Sequence, residues 1–585
     1  MKLMRSNFKK AFVLLLSGSL LFSSCKEEEV FPVPTVSAGS ALSGTPGSKV
    51  TISATISAPG GLKSITVLKN GAAFDTKTYM GETNATYTSE YTIETLSAGT
   101  VVNFTVLATD NSGQSSTLTT IPVTVTAIPP KAIVTVTGNL EGNVTWTSDK
   151  IYKLVGFVRV GTEATFGTVS KTGVLTIQPG TVIIGDRASK GTLIVQRGSQ
   201  IIANGTATQP IVFTSERNAG EKEAGDWGGL VILGRAINNL PDNAQNRELE
   251  GGYGGFHGGT ADADNSGSLR YVRIEFAGVP INPNQEINSL TLGSVGSATQ
   301  INYVQASFGL DDSFEWFGGS VNAKYLIAYR GLDDDFDTDN GFSGNVQYVV
   351  GIRGASQADQ SGSNGFESDN DAAGSALTPF TSPTFANVSL IGPKGKAETS
   401  ISLQFQNGAQ IRRNSKLKLY NSFITGYPNG IYIDSLRGDA KGNADKGDIK
   451  LNNVILAGVE SWGNNGWGQG FATLPRGFAF SDIEQNATLT PFTIGLLKPT
   501  DWFIAQTGNK SYATTTKTGV SATLWGSGAP VFTITPGQTE SLIGPVLPTT
   551  LPAFFDRTDF SGAFKDVDWT KGWAEFNPQS VIYIK

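Results

Sequence analysis

Cysteine and histidine are almost absent from this sequence, which holds one residue of each type in 585. A single cysteine cannot form an internal disulfide, and a single histidine cannot supply the usual ligand set of a zinc site. The sequence also lacks a G-x-S-x-G motif and a phosphate-binding glycine loop. Acyl transfer, zinc-dependent hydrolysis and nucleotide chemistry are therefore not indicated.

Charged residues are also few, at 16% of the chain, and the formal net charge is −6. The first 24 residues contain four cations and no anion, so the remainder of the chain carries a charge of about −10. A net negative charge disfavours nucleic acid and favours cations or neutral ligands. The 70 glycines and the frequent Val, Ile, Thr, Phe and Tyr instead indicate a chain rich in strands and turns.

The first 24 residues have the composition of a targeting segment. Basic residues through Lys10 precede an apolar run, and small residues lead to Cys25. This pattern resembles a bacterial lipoprotein signal, which implies that Cys25 becomes the acylated first residue. An ordinary signal peptide followed by an incidental cysteine is the alternative.

The four residues after Cys25 are Lys26-Glu27-Glu28-Glu29. They resemble the charged tetrad that directs Bacteroidota lipoproteins to the outer face of the outer membrane; a solvated linker is the alternative. No later stretch approaches the ~20 apolar residues that a membrane-spanning helix needs. We therefore expect a lipid-anchored protein of the outer membrane that faces the outside of the cell.

Residues 25–36 form a short tether, and residues 37–128 show the alternation of sandwich strands. Val50–Ile56 and Ser64–Leu68 place apolar residues at every second position, with a turn at Asn70-Gly71. The run Val102–Gly113 resembles the penultimate strand and turn of bacterial immunoglobulin-like modules, which implies a small β-sandwich acting as a spacer.

From about residue 131 to 460, short apolar strands alternate with tight glycine turns, as in Val174–Gly185 and Thr192–Thr206. Without intervening helices such strands cannot form βαβ crossovers and must stack as coils. They resemble the rungs of right-handed parallel β-helices of the pectate-lyase type. The predicted fold class is therefore all-β, with an immunoglobulin-like β-sandwich followed by a right-handed parallel β-helix and a Trp-rich C-terminal cap.

One strand family recurs through this region, first with tyrosine and then with asparagine at its head. The heads are Tyr271, Tyr303, Tyr325, Tyr348, Asn387, Asn421 and Asn453. Successive rungs of a β-helix lie about 4.8 Å apart, so these residues are expected to form a structural ladder.

An internal repeat brings acidic residues into the same ladder arrangement. With a 22-residue offset, Gly309–Glu315 aligns with Gly331–Asp337, and a looser copy ends at Glu367. Stacked carboxylates repel unless they are protonated, solvated or bridged by a cation. Oxygen ligands without His or Cys favour Ca²⁺. The predicted calcium ligands are Asp311, Asp312, Glu315, Asp333, Asp334, Asp337 and Glu367, with plain solvated turns as the alternative.

A second run, Asp262 to Gly267, resembles a fragment of a calcium loop.

Residues 461–585 hold six of the nine tryptophans. We expect them to continue the β-helix and to end in an aromatic cap, which the segment Phe560–Trp573 predicts. Trp462 and Trp467 are candidates for stacking on sugar rings. Together with the Gly225–Gly234 segment and the acidic repeats, this ending resembles a group of Bacteroidota surface lipoproteins with β-helix domains.

We therefore expect a non-catalytic surface protein that binds a glycan or an outer-membrane partner, for instance in nutrient uptake. A calcium-dependent polysaccharide lyase or hydrolase using the acidic ladder is the first alternative, with Asp312, Asp334 or Asp335 as candidate acids. Against it, the Gly-His-Gly rung and the Arg-x-Lys of polygalacturonases are absent, and the one histidine, His257, lies in a glycine-rich loop. A structural or adhesive surface protein is the second alternative.

Overall fold

The structure is a computed structural model. It describes residues 30–163, 168–241, 248–249, 252–283, 285–396, 399–459, 490–526, 529–532, 542 and 544–584. The chain divides into two compact units, residues 1–129 and 130–585. None of the helices in the described ranges has the length and apolar character that crossing a bilayer requires.

The first unit is a β-sandwich of eight strands in two sheets, one in the order β1-β3-β6 and the other in the order β2-β8-β7-β4-β5. All strand pairs are antiparallel except β2 with β8. Apolar residues at alternate positions, such as Ile52 and Ala54 on β3 and Phe104 and Val106 on β7, form one shared core. The strands are β1 Thr35–Ala38, β2 Leu42–Gly44, β3 Lys49–Ser57, β4 Leu62–Lys69, β5 Ala72–Thr78, β6 Asn84–Thr92, β7 Val101–Asp110 and β8 Thr119–Val125. The classification of this sandwich as immunoglobulin-like stays a prediction.

The second unit consists almost entirely of short strands. They are β9 Ala132–Val136, β10 Asn139–Leu140, β11 Gly142–Trp146, β12 Lys150–Leu154, β13 Phe157–Val160, β14 Thr162–Glu163, β15 Val169–Lys171, β16 Gly173–Ile177, β17 Val182–Gly185, β18 Thr192–Val195, β19 Gln200–Asn204, β20 Ile211–Ser215, β21 Leu230–Leu233, β22 Gly267–Glu275, β23 Pro280–Asn282, β24 Gln285–Glu286, β25 Leu290–Val295, β26 Gln300–Ser307, β27 Phe314–Gly319, β28 Asn322–Tyr329, β29 Phe336–Asp339, β30 Asn345–Ile352, β31 Phe366–Ser368, β32 Thr384–Ile391, β33 Asn407–Ile411, β34 Lys418–Thr425, β35 Asn429–Ile433, β36 Lys450–Ala457 and β37 Lys510–Tyr512. Within the described ranges of this unit there are two α-helices, α1 Ala440–Asp445 and α2 Pro499–Ala505.

These strands form a right-handed parallel β-helix, as the sequence predicts. Ten strands, from β10 to β35, form one parallel sheet, and fifteen form the other. In the early coils the larger sheet has two columns, in which β16 pairs with β19 and β17 pairs with β20. The longer strand β22 pairs with both β19 and β20, so that the two columns continue as one bent strand in each later coil.

Each long strand bends at the tyrosine or asparagine of the recurring strand motif. All seven of these residues have a positive φ, between 45° and 61°. L-residues seldom adopt this left-handed region, and asparagine tolerates it better than most. This conformation accounts for asparagine at the last three positions, whereas the four tyrosines adopt it as well and gain ring stacking. Successive tyrosine rings stack with centroids 4.5, 4.3 and 4.8 Å apart.

The main core of the β-helix consists of apolar residues stacked from coil to coil. Phe314, Phe336 and Phe366 lie on successive strands of the ten-stranded sheet, with ring centroids 5.5 and 5.6 Å apart. All three are fully buried in the main core. Near the end of the solenoid, Trp502 and Phe503 of α2 join this core and cover the late coils.

The aromatic C-terminal segment lies along the flank of the solenoid, a placement that differs from the expected end cap. We call residues 544–584 the strap. Its Gly562 N–H donates to the Asn421 carbonyl, and its Tyr583 hydroxyl donates to Glu275, many coils earlier. Trp573 packs edge-on against Tyr271 and Tyr303. The stacked tyrosines leave apolar ring edges on the flank, and the aromatic strap covers them.

Candidate functional site

The acidic residues of the repeat lie side by side on the ten-stranded sheet. Glu315 on β27 is the register partner of Asp337 on β29, which in turn pairs with Glu367 on β31. The residues that precede them are the buried phenylalanines of the core, so the three carboxylates lie on the outer face of the sheet. This is the placement that the 22-residue repeat predicts.

A second ladder lies at the turn before each of these strands. Asp312 Oδ1 accepts the backbone N–H of Asp334 at 2.7 Å, and Asp334 Oδ1 accepts the N–H of Asn364. In the next coil, Asn364 Oδ1 accepts the N–H of Asn407 at 3.0 Å. The two aspartates therefore take the place that asparagine holds in later coils, and their side chains are buried.

Among the residues that the structure describes, two groups of three carboxylates could hold a cation. The first consists of Asp311, Asp312 and Asp333, and the second of Asp312, Glu315 and Asp337. Within each group, one oxygen of every residue lies within 4.8 Å of the others. Asp312 belongs to both groups. The structure thus brings five of the seven predicted ligands together in these groups, and Asp334 and Glu367 belong to neither.

Burial and mutual repulsion raise the pKa values of these carboxyls. The pKa values of Asp312, Asp333 and Asp337 lie well above the ordinary value, first because burial disfavours the charged form and then because the neighbouring carboxylates repel it. Burial, with the charge of Asp333, raises the pKa of Asp334 to about 7. Asp337 Oδ1 is buried without a hydrogen-bond partner among the described residues. The carboxyl groups are therefore closer together than their charged forms favour, and Asp337 Oδ1 is available as an oxygen ligand.

Arginine side chains compensate the acidic ladder at its C-terminal end. Arg412 forms ion pairs with Glu367 and, at 2.9 Å, with Asp369. Arg413 pairs with the other oxygen of Asp369 at 2.6 Å. Burial alone would lower the pKa of Arg412, but these carboxylates raise it above its ordinary value. Glu367, a predicted calcium ligand, is thus held by an arginine instead.

An open groove of about 410 Å³ adjoins these arginines on the same face. It is lined by polar side chains from the coils that carry β31, β33 and β35. These are Ser361, Glu367, Gln406, Gln410, Arg412, Arg413, Tyr432, Asp434 and Arg437. Gln410 and Tyr432 follow Glu367 in the strand register, so that the acidic ladder continues directly into the groove.

Asp335, a candidate acid for hydrolysis, lies inside the solenoid. Its carboxylate is 3.1 Å from Arg353 Nε and accepts a hydrogen bond from the Tyr427 hydroxyl at 3.0 Å. The side chains of Asp335 and Arg353 are fully buried. This interior ion pair is not accessible to a polymer on the outer surface.

Two weaker sequence candidates have structural roles. Asp262 accepts the N–H of Ile237, and Asp264 pairs with Arg235 at 2.9 Å, so these carboxylates are occupied by the protein itself. His257 is buried, and its Nδ1 lies 2.9 Å from the Ser294 hydroxyl. Cys25 and the two sugar-stacking candidates, Trp462 and Trp467, lie outside the described residues.

The arginines of the groove are the site residues that the sequence did not single out. Arg412 and Glu367 are 45 positions apart in sequence, and only the strand register of β31 and β33 brings them together. The adjacent pair Arg412-Arg413 is visible in the sequence, but its partners depend on the length of the intervening loop.

The sequence pattern of the pectate-lyase-like β-helix domain matches residues 138–519. The chain belongs to this β-helix family. No curated protein matches the chain.

Two solved structures match parts of this β-helix protein. One is the Yersinia enterocolitica family 28 exopolygalacturonase, at 10% identity over 73% of this chain and 92% of that one, with a TM-score of 0.13. The other is a structure of the fibronectin(III)-like modules of Clostridium thermocellum CbhA, at 16% identity over 16% of this chain and 96% of that one, with a TM-score of 0.12. TM-scores this low do not by themselves establish a shared fold.

In calcium-free buffer, we expect the stability of the protein to fall as the pH rises from about 5 to about 8. In the folded state the pKa is about 7 for Asp334, about 7 for Asp339 and about 8 for Glu367. Unfolded carboxyls titrate near pH 4, so only the folded chain still holds these protons in that range. The stabilising contribution is complete below the unfolded pKa and is lost as the pH passes the folded values.

Melting temperatures in a chelating buffer test this expectation. Asp337→Asn removes one of the repelling charges, so the variant should show a smaller decrease than the unmodified protein. A melting temperature of the unmodified protein that rises steadily over the same range would contradict the raised pKa values.

Proposed function

We propose that this protein is a non-catalytic, calcium-dependent binder of acidic polysaccharide at the cell surface. The supporting observation is that one sheet face carries both two groups of closely spaced carboxylates and, directly beside them, an arginine-lined groove. The family has a carbohydrate-related name, pectate-lyase-like, which is consistent with a glycan ligand.

Calcium fits the carboxylate cluster. The donor set consists of carboxylate oxygens alone, which suits a hard cation, and the unpartnered Asp337 oxygen is available as a ligand. Asp311, Asp312, Asp333, Glu315 and Asp337 would hold the ion. A bound Ca²⁺ would offset their repulsion and could also accept a carboxylate of the polysaccharide.

The groove offers complementary contacts to a polymer of acidic sugars. Arg413 and Arg437 place guanidinium groups along it, and planar guanidinium groups suit bidentate pairing with carboxylates. Tyr432 and Gln410 add an aromatic ring and an amide for sugar rings and hydroxyls. The groove adjoins the cluster, so a single chain of sugars could contact both.

The side chains favour binding over cleavage. The raised pKa of Arg412 keeps it protonated, so it is poorly suited to act as the base of a lyase. Asp312 and Asp334 accept backbone N–H groups in the turn ladder, and Asp335 is inside the core. The candidate acids for hydrolysis are therefore committed to the fold.

The location of the protein is proposed from its sequence. An acylated Cys25 would anchor the chain to the outer membrane, with the β-sandwich as a spacer and the β-helix exposed to polysaccharide outside the cell. An outer-membrane transporter is the partner expected if the bound glycan is a nutrient.

Calcium should bind with measurable heat and raise the melting temperature of the protein. Asp312→Asn should weaken binding by about tenfold or more, because it removes a charged ligand shared by both groups. Asparagine occupies the equivalent turn position in later coils, so this variant should keep the fold. Asp262→Asn serves as the control and should bind as the unmodified protein does. Calorimetry that shows neither heat nor a rise in melting temperature would refute the calcium site.

Polygalacturonate should bind in calcium and bind much less in chelator, while neutral dextran should bind in neither. Arg437→Gln should weaken binding by about tenfold, the typical loss for one charge-assisted hydrogen bond. Arg437 is exposed, so its replacement should leave the melting temperature unchanged. Arg270→Gln, at an exposed arginine on the other sheet, is the matched control.

The same samples separate binding from the alternatives. New unsaturated or reducing sugar ends would show an enzyme and overturn the non-catalytic proposal. The absence of any polysaccharide binding would favour a structural or adhesive protein.

Cys25→Ser should move the protein from the membrane fraction to the soluble fraction of cells, because the acylated thiol would be lost. Protease treatment of intact cells should degrade the unmodified protein if it faces outward. Membrane association that survives the substitution would refute the lipid anchor.

A further inference from the structure

A second cavity lies on another edge of the β-helix, at the turns that follow β28, β30 and β32. Its volume is about 630 Å³, which is within the usual range for small-molecule sites. Residues 515–526 close it from the side. It shares no lining residue with the groove of the proposed polysaccharide site.

The cavity is cationic, although the chain as a whole is acidic. Among the described residues, its lining includes Arg330, Arg353 and Lys396 and no aspartate or glutamate. The charge of Arg353 is compensated from inside the core by Asp335. Arg330 has no such partner among the described residues and is the arginine available to a ligand.

The Arg330 guanidinium is held in place but keeps unused donors. Its Nη2 donates to the Gly526 carbonyl at 2.6 Å, and the guanidinium lies 5.1 Å from the centre of the Tyr329 ring. No other acceptor for its N–H groups occurs in the described part of the chain. A fixed guanidinium with spare donors is suited to bind a carboxylate.

An indole ring forms another part of the wall. Trp525 Nε1 donates to the Gly392 carbonyl at 2.9 Å, which fixes the ring. The ring packs on Gly395 so closely that a Cβ at that position would lie 2.7 Å from it. Glycine at 395 is therefore required by the position of Trp525. Ser356, Gln357 and Thr515 add hydroxyl and amide groups to the same cavity.

We propose that this cavity binds one carboxylate-bearing sugar, with the carboxylate on Arg330 and the sugar ring against Trp525. The volume is much larger than a simple inorganic anion needs, and the combination of an aromatic wall with hydroxyl and amide groups suits a sugar ring. This goes beyond the proposed polysaccharide groove, because it adds a separate site for a short ligand. The site has no acidic lining residue, so its binding does not need calcium.

Glucuronate titrated into the full-length protein in chelator is the test, with calorimetry and tryptophan fluorescence as readouts. Glucuronate should bind, and Arg330→Gln should weaken it about tenfold, as expected when a charge-assisted contact is lost. Trp525→Phe should abolish the fluorescence change. Both variants should keep the melting temperature and the calcium-dependent binding of polygalacturonate.

Three controls make the result specific. Arg413→Gln, in the polysaccharide groove, should leave glucuronate binding unchanged. Glucose should not bind, and neither acetate nor inorganic phosphate should compete at the concentrations at which glucuronate binds. The proposal is overturned if glucuronate does not bind, if Arg330→Gln binds it equally well, or if acetate or phosphate competes as well as the sugar acid does. Loss of polygalacturonate binding in the groove variants alone would concern the proposed function and not this site.

Discussion

Parallel stacking in register is the constraint on which this structure depends. Each coil places residues of one strand position about 4.8 Å from their equivalents in the next coil, because that is the spacing of hydrogen-bonded strands. In the core, this spacing favours apolar residues of the same type at equivalent positions, as in the ladder of Phe314, Phe336 and Phe366. On the flank it produces the tyrosine stack, whose exposed ring edges are covered by Trp569 and Trp573 of the strap.

On the outer face of the ten-stranded sheet the same constraint has an electrostatic cost. Glu315, Asp337 and Glu367 are held side by side by backbone hydrogen bonds and cannot separate without breaking the sheet. The surroundings of these carboxylates differ along the ladder. Arg412 pairs with Glu367 at one end of the ladder, while Asp312, Glu315 and Asp337 each place one carboxylate oxygen within 4.8 Å of the others. Along this face, the contact with Arg412 makes Glu367 part of a structural ion pair, and the close grouping of carboxylates around Asp312 makes that part a candidate ion site.

Where successive coils have equal length, much of the fold and of the carboxylate ladder could be predicted from the sequence. The 22-residue repeat gives the pairing of Glu315 with Asp337 directly, because no loop intervenes to change the offset. Glycine turns and short strands predict the parallel β-helix, and the shared tyrosine and asparagine position marks its left-handed corner. These are local patterns that recur with the coil, so they can be read without knowing any long-range contact.

The rest depends on contacts between distant segments that no local pattern specifies. The pairing of Arg412 with Glu367 can be predicted only if the length of the loop between their coils is known. To predict the interior ion pair of Asp335 and Arg353, one must know which residue of an acidic run points into the core. The strap joins Tyr583 to Glu275 across 308 positions, and its aromatic composition alone is equally consistent with an end cap.

The most direct measurement is an anomalous difference map from crystals of the β-helix protein grown with calcium and, in parallel, with a lanthanide substitute. The account predicts a peak enclosed by Asp312, Glu315 and Asp337 or by Asp311, Asp312 and Asp333, with none beside Glu367, where Arg412 is already bound. Well-ordered carboxylates with only water between them in both crystals, or a peak elsewhere on the molecule, would contradict it.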